Sequence, residues 1–139
     1  MNTKIKTLEK LSDIRSDAKN AGQRVVWTNG CYDILHAGHV LYLQKARQQG
    51  DLLFVGLNSD ESIRSTKGPL RPIVDEDERA IVISALSCVD YVLIFEEDSP
   101  VNIIRTLEPD IYAKGGDYTI ETINQVERGV VENYGGEIA

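Results

Sequence analysis

A short apolar run, Val25-Val26-Trp27, is followed at once by Thr28-Asn29-Gly30, and then by Asp33, His36, Gly38 and His39 in the order D-x-x-H-x-G-H. The run is β-branched and aromatic, which marks a buried strand. Asn29-Gly30 is a turn dipeptide and is expected to end that strand. Beyond His39 the apolar positions Val40, Leu41, Leu43 and Ala46 recur at helical spacing, and Gly50 suits the end of a helix. Residues 24–50 are therefore expected to form a strand, a tight loop and a helix. This order constrains the chain more than anything else in it, because a helix start behind a strand presents unpaired N–H groups and a positive dipole end to an anion.

The loop residues suit phosphate chemistry. Gly38 keeps a side chain away from a point of close approach. His36 and His39 lie three apart, so both imidazoles fall on one side of the first turn, and each can donate to a phosphoryl oxygen. Asp33 stands just upstream, where it would hold a metal ion or space the entering phosphates. The chain has two histidines, and both fall here. A zinc reading finds no third ligand at a useful spacing, and Cys31 and Cys88 are isolated. The metal ligands, if any, are left open.

The stretch TNGCYDILHAGH resembles the pattern of the cytidylyltransferase-like nucleotidyltransferases, a strand followed by G-x-[FY]-D-x-[LF]-H-x-G-H. The resemblance runs on through residues 24–139. KGPLRP, residues 67–72, and KGGDY, residues 114–118, resemble the branch that uses heptose 1-phosphate. The resemblance implies an α/β fold of the HxGH type: an open, parallel, doubly wound, Rossmann-like sheet with helices on both faces. It implies His36, His39 and Lys67 as catalytic residues. The nucleotide would lie on Thr28, Asn29, Gly30, Cys31, Tyr32, Asp33 and Gly38, with Arg79, Lys114, Gly115 and Asp117. Asn58 and Arg71 would face the second substrate. Two of these positions have ordinary alternatives: Arg79 as a surface ion pair with Glu76 or Asp75, and Asp117 as a turn aspartate. The implied reaction joins a heptose-type sugar 1-phosphate to the AMP part of ATP, with Mg²⁺ or another divalent cation bridging the phosphates. Glycerol 3-phosphate with CTP is the second choice, and a nucleotide-binding module without turnover the third.

The remaining chain alternates between the two periods. Residues 1–22 read as a leader helix through Ile5, Leu8, Leu11, Ile14 and Ala18. Residues 51–58 form a strand apolar throughout, as in a sheet covered on both faces. Ser59 caps a short helix. Residues 75–86 form a helix with Ile81, Val82, Ala85 and Leu86 as its apolar face. Residues 89–95 are a third strand, Ser99-Pro100 opens a helix to about Leu107, and residues 110–114 are a fourth strand. A last helix is expected from Thr119, with Ile123, Val126, Val130 and Val131 on its apolar face, and Glu137-Ile138-Ala139 opens a fifth strand. Relatives usually complete that strand and add a helix bearing S-T-[TS]. The sequence does not supply it, so the chain reads as a single domain that is either a piece of a longer protein or a shortened relative.

Composition sets the boundaries of function. A net charge of −7 and a pI near 4.8 argue against a nucleic-acid partner. An acidic chain that handles phosphates must gather its cations locally. No apolar stretch approaches a membrane span, no signal-peptide pattern is visible, and the cysteine usage suits a reducing cytoplasm. Small-molecule substrates are the expected partners, and a homodimer is compatible with the sequence.

Overall fold

A computed structural model of the chain describes residues 3–114 and 124–139. Five strands form one sheet: β1 Val25–Gly30, β2 Leu52–Asn58, β3 Tyr91–Phe95, β4 Ile111–Tyr112 and β5 Glu137–Ile138. Among the described residues six helices surround it: α1 Leu8–Asn20, α2 Ala37–Arg47, α3 Asp60–Lys67, α4 Glu76–Ser84, α5 Val101–Leu107 and α6 Gln125–Asn133. The sheet order is β3-β2-β1-β4-β5, and every pairing is parallel. The expected doubly wound Rossmann-like architecture is therefore present.

Alternation along β1 explains the two layers. Val26 packs on one face with Leu43 and Ala46 of α2 and Ala80 and Ile83 of α4. Val25 and Trp27 pack on the other with Leu11 of α1, Ile103, Ile104 and Leu107 of α5, and Val131 of α6. Successive strand side chains point to opposite faces, so one apolar strand feeds two cores. Gly56 is required by this packing, because a Cβ there would lie 2.5 Å from the Trp27 ring. Arg15 closes the far end of α5: its guanidinium donates to the Leu107 and Glu108 carbonyls, which the helix leaves unpaired, and to Asp110.

Several elements differ from the sequence expectation. Asn29-Gly30 does not turn. Both residues stay in β1, paired with Gly56 and Leu57, because the ladder to β2 overrides the local preference. The leader is helical only from Leu8; Ile5 instead bridges to Val92 and adds a short parallel step beside β3. His36 stands at the cap of α2 rather than inside its first turn, and Leu41 points outward at 65% exposure. The apolar face of α4 is misassigned, since Ile81 and Val82 are exposed and Arg79, Ala80, Ile83 and Ser84 are buried. Pro100 occupies the cap position of α5, with Val101 first in the helix. Asn124 caps α6, which therefore begins later than Thr119, and Val126 is exposed. Thr119 and Ile123 lie outside the described residues.

Candidate active site

The sheet order places the cleft. The chain leaves β1 for β2 and β3 on one side and returns to β4 on the other, so the order reverses between β1 and β4. Ligands of open α/β sheets gather outside the strand carboxyl ends at such a reversal. A cleft of about 710 Å³ opens there, of the size that holds a small ligand. Asn29 and Gly30 end β1 at its floor, Lys114 follows β4, and Lys67 and Arg71 approach from the α3 side.

The two histidines make their own helix start. His36 Nδ1 accepts from the Gly38 N–H at 3.0 Å, and His39 Nδ1 accepts from the His36 N–H at 3.2 Å. Each ring nitrogen that accepts must be unprotonated, so in the neutral rings the proton sits on Nε2. The cap thus fixes the tautomer that leaves an Nε2–H donor on both residues. The rings lie 4.0 Å apart, and Tyr32 meets His39 edge-on at 5.3 Å. Gly38 also suits the cap itself, because a Cβ there would stand 2.8 Å from the His36 ring. Tyr32 adopts φ +48, unusual for an aromatic residue, and this turn buries its ring beneath the loop. Burial raises the Tyr32 hydroxyl well above the ordinary tyrosine range.

Partial desolvation, and then the neighbouring His36, lower the His39 pKa below the usual histidine value. Unfolded His39 titrates near about 6.5, so as pH falls past that value the unfolded chain takes up a proton before the folded one does. The stability contributed by neutral His39 is therefore complete above about pH 6.5 and is lost as pH falls through the folded pKa. The stability of the wild type relative to His39→Gln should be greatest at pH 8 and shrink by pH 5. Urea midpoints of the two proteins across that range check this, and a constant difference would contradict it.

Asp33 does not present a free carboxylate. It accepts from the Ile73 and Val74 N–H groups at 2.8 Å each and from Arg71 at 3.1 Å. Burial pushes its pKa up, but those N–H groups and Arg71 outweigh it and hold the carboxyl below its usual value. Its role in this geometry is to tie the histidine loop to the segment that leads into α4. Among the described residues no group of three or more His, Cys, Asp and Glu is placed to hold a metal ion.

The other expected site residues divide clearly. Asn29, Gly30, Cys31, Tyr32, Asp33, His36, Gly38, His39, Lys67, Arg71 and Lys114 line one cleft. Lys67 is exposed at the last position of α3, where Gly68 at φ +99 turns the chain away. Thr28 lies beneath the cleft, buried and 2.6 Å from the Tyr42 hydroxyl. Asn58 lies outside the lining, and its side chain donates to Ser62 at 3.1 Å. Arg79 is 2% exposed and also lies outside the lining. Its guanidinium donates to the carbonyls of Val74, Cys31 and Asn58 and pairs with Asp60 at 2.7 Å. The ion pair anticipated with Glu76 or Asp75 is made with Asp60 instead, and the side chain braces the cleft from behind. Gly115 and Asp117 lie outside the described residues. Sequence reasoning missed Tyr42, Tyr112 and Glu127, none of which stands in a motif.

The comparisons with known proteins agree with this geometry. The cytidylyltransferase-like family model matches residues 27–135. The chain belongs to the cytidylyltransferase-like family. It is 56% identical over 136 residues to the bifunctional protein HldE of Syntrophotalea carbinolica and 55% identical over 135 residues to that of Geobacter sulfurreducens. These matches take in 98% and 97% of this chain but 27% of each relative, so the chain spans about a quarter of their length. Among solved structures, a lipopolysaccharide core biosynthesis protein from Thermoplasma volcanium superposes with a TM-score of 0.70 at 30% identity, covering 84% of this chain and 95% of that one. A pantoate-beta-alanine ligase from Francisella tularensis shares the fold with a TM-score of 0.69 at 13% identity, over 97% of this chain and 65% of that one.

Proposed function

We propose that this cytidylyltransferase-like chain transfers the AMP part of ATP to a sugar 1-phosphate of the heptose type. A phosphate oxygen of the sugar phosphate attacks the α-phosphorus of ATP, a new P–O bond forms, and the bond to the departing pyrophosphate breaks. No protein nucleophile is needed, so catalysis rests on positioning and on stabilising charge at the phosphoryl oxygens. The observation that carries the reading is the pair of cleft-lining histidines whose Nδ1 atoms are both used in the cap, which leaves both Nε2–H groups as donors for a ligand. Lys67, Arg71 and Lys114 gather positive charge around the same cleft in a chain of net charge −7. A divalent cation would neutralise part of the triphosphate charge. The heptose-type substrate is supported by the HldE relatives and by the KGPLRP and KGGDY segments.

The test is pyrophosphate release with Mg²⁺, run with ATP or CTP against heptose 1-phosphate or glycerol 3-phosphate. Signal confined to ATP with the heptose phosphate is the expected result. Signal confined to CTP with glycerol phosphate would overturn the substrate assignment, and nucleotide binding with no turnover in any combination would support a binding module. Lys67→Met should raise the KM for ATP about tenfold or more, the worth of a charge-assisted contact to phosphate. An unchanged KM would remove Lys67 from the site. The reaction fits the cytoplasm, where nucleoside triphosphates are made, and no helix among the described residues is long and apolar enough to cross a membrane.

A further inference from the structure

Glu127 in α6 is 5% exposed, and a buried carboxylate is costly unless it is paired. Its partners come from elements that meet at the cleft. The Tyr112 hydroxyl from β4 donates to Oε1, and Ser99 Oγ donates to Oε2 at 3.2 Å. Lys114 Nζ stands 3.8 Å from Oε1 and 5.5 Å from the centre of the Tyr112 ring. The Tyr112 hydroxyl also lies 3.2 Å from Asn29 Oδ1, which accepts from Trp27 Nε1 at 3.1 Å. The group thus joins α6 to the carboxyl ends of β1 and β4, the two strands that flank the reversal of sheet order. Two of its members, Asn29 and Lys114, line the cleft.

We propose that Glu127 is a positioning residue for the nucleotide site, acting by holding Lys114. This rests on the nucleotidyltransferase reading. A lysine on a flexible stem loses rotamer freedom when it engages a phosphate. A carboxylate and an aromatic face that already restrain its ammonium reduce that loss. Apolar residues could fill the same volume between α6 and β4. They could not orient an ammonium.

A double-mutant cycle tests this, using kcat and KM for ATP at saturating sugar phosphate, alongside titration calorimetry with Mg-ATP. Glu127→Gln keeps the volume and one acceptor for the Tyr112 hydroxyl, removes the charge, and turns the Ser99 contact around so that the amide donates to Ser99 Oγ. It should lower kcat/KM for ATP about tenfold, with Lys114→Met at least as damaging. In the Lys114→Met background, Glu127→Gln should have almost no further effect on kcat/KM, because the residue acts through Lys114. A merely structural role would give losses that multiply, and that result, or a Glu127→Gln enzyme within twofold of wild type, overturns the proposal. Tyr112→Phe serves if Glu127→Gln does not fold. It keeps the ring, removes the hydroxyl that orients the Glu127 carboxylate, and should lower kcat/KM severalfold; an unchanged value overturns the proposal. A wild-type chain that neither binds ATP nor releases pyrophosphate defeats the nucleotidyltransferase reading and this inference together. An active wild type with multiplying losses defeats this inference alone.

Discussion

His39→Ala should lower kcat by about two to three orders of magnitude while ATP affinity changes by no more than a few-fold. That is the size of effect seen when one preorganised donor to a developing oxyanion is removed. The structure explains why the loss should fall on turnover. His39 Nδ1 is occupied by the His36 N–H, so the ring is held in one tautomer and orientation before any ligand arrives. A donor fixed in advance contributes most where charge builds up, which is the transition state. The lost cap bond costs about 1 kcal/mol of stability, too little to unfold the domain or to mimic the kinetic effect. Steady-state kinetics with calorimetric titration separate the two quantities. Equal losses in affinity and turnover would contradict a transition-state role.

Arg79→Met should destabilise the fold by about 3–5 kcal/mol, the cost of breaking a buried charged pair and leaving its partners unmet. Three backbone carbonyls, from Cys31, Asn58 and Val74, would lose the donor they share, and Asp60 would lose its cation. Those carbonyls belong to the histidine loop, the end of β2 and the entry to α4. The cleft should therefore loosen in any molecules that remain folded. Arg79→Lys should recover little, because a single ammonium cannot reproduce the planar fork that spans these groups. Urea denaturation gives the answer directly. A loss below about 1 kcal/mol, or full recovery in the lysine variant, would contradict the bracing role.

The same residue shows where sequence reading failed. The order of strands and helices was legible because apolar runs, capping residues and turn residues agree through most of the chain. The histidine loop was legible because its chemistry is local: cap, glycine and both rings fall within four positions. The inner face of α4 was not. Arg79, Ala80, Ile83 and Ser84 face the sheet, and Ile81 and Val82 face solvent. Hydrophobic periodicity cannot find a face whose largest buried member is charged. Arg79 is buried because carbonyls distant in sequence meet around it. The Glu127 group was hidden for the same reason, as its members span residues 27 to 127 and touch only once β1, β4 and α6 are assembled. Asp33 lines the cleft, but its partners at Ile73 and Val74 come from a segment with no motif.

Isotope-labelled ATP tests the central claim most directly. The chain would be incubated with Mg²⁺, heptose 1-phosphate and ATP labelled at the α- or the γ-phosphorus, and the products separated. Nucleotidyl transfer predicts α-label in the sugar product and γ-label in pyrophosphate. Transfer of the γ-label to the sugar, with ADP left behind, would show phosphoryl transfer instead and would contradict the account of the histidine cleft.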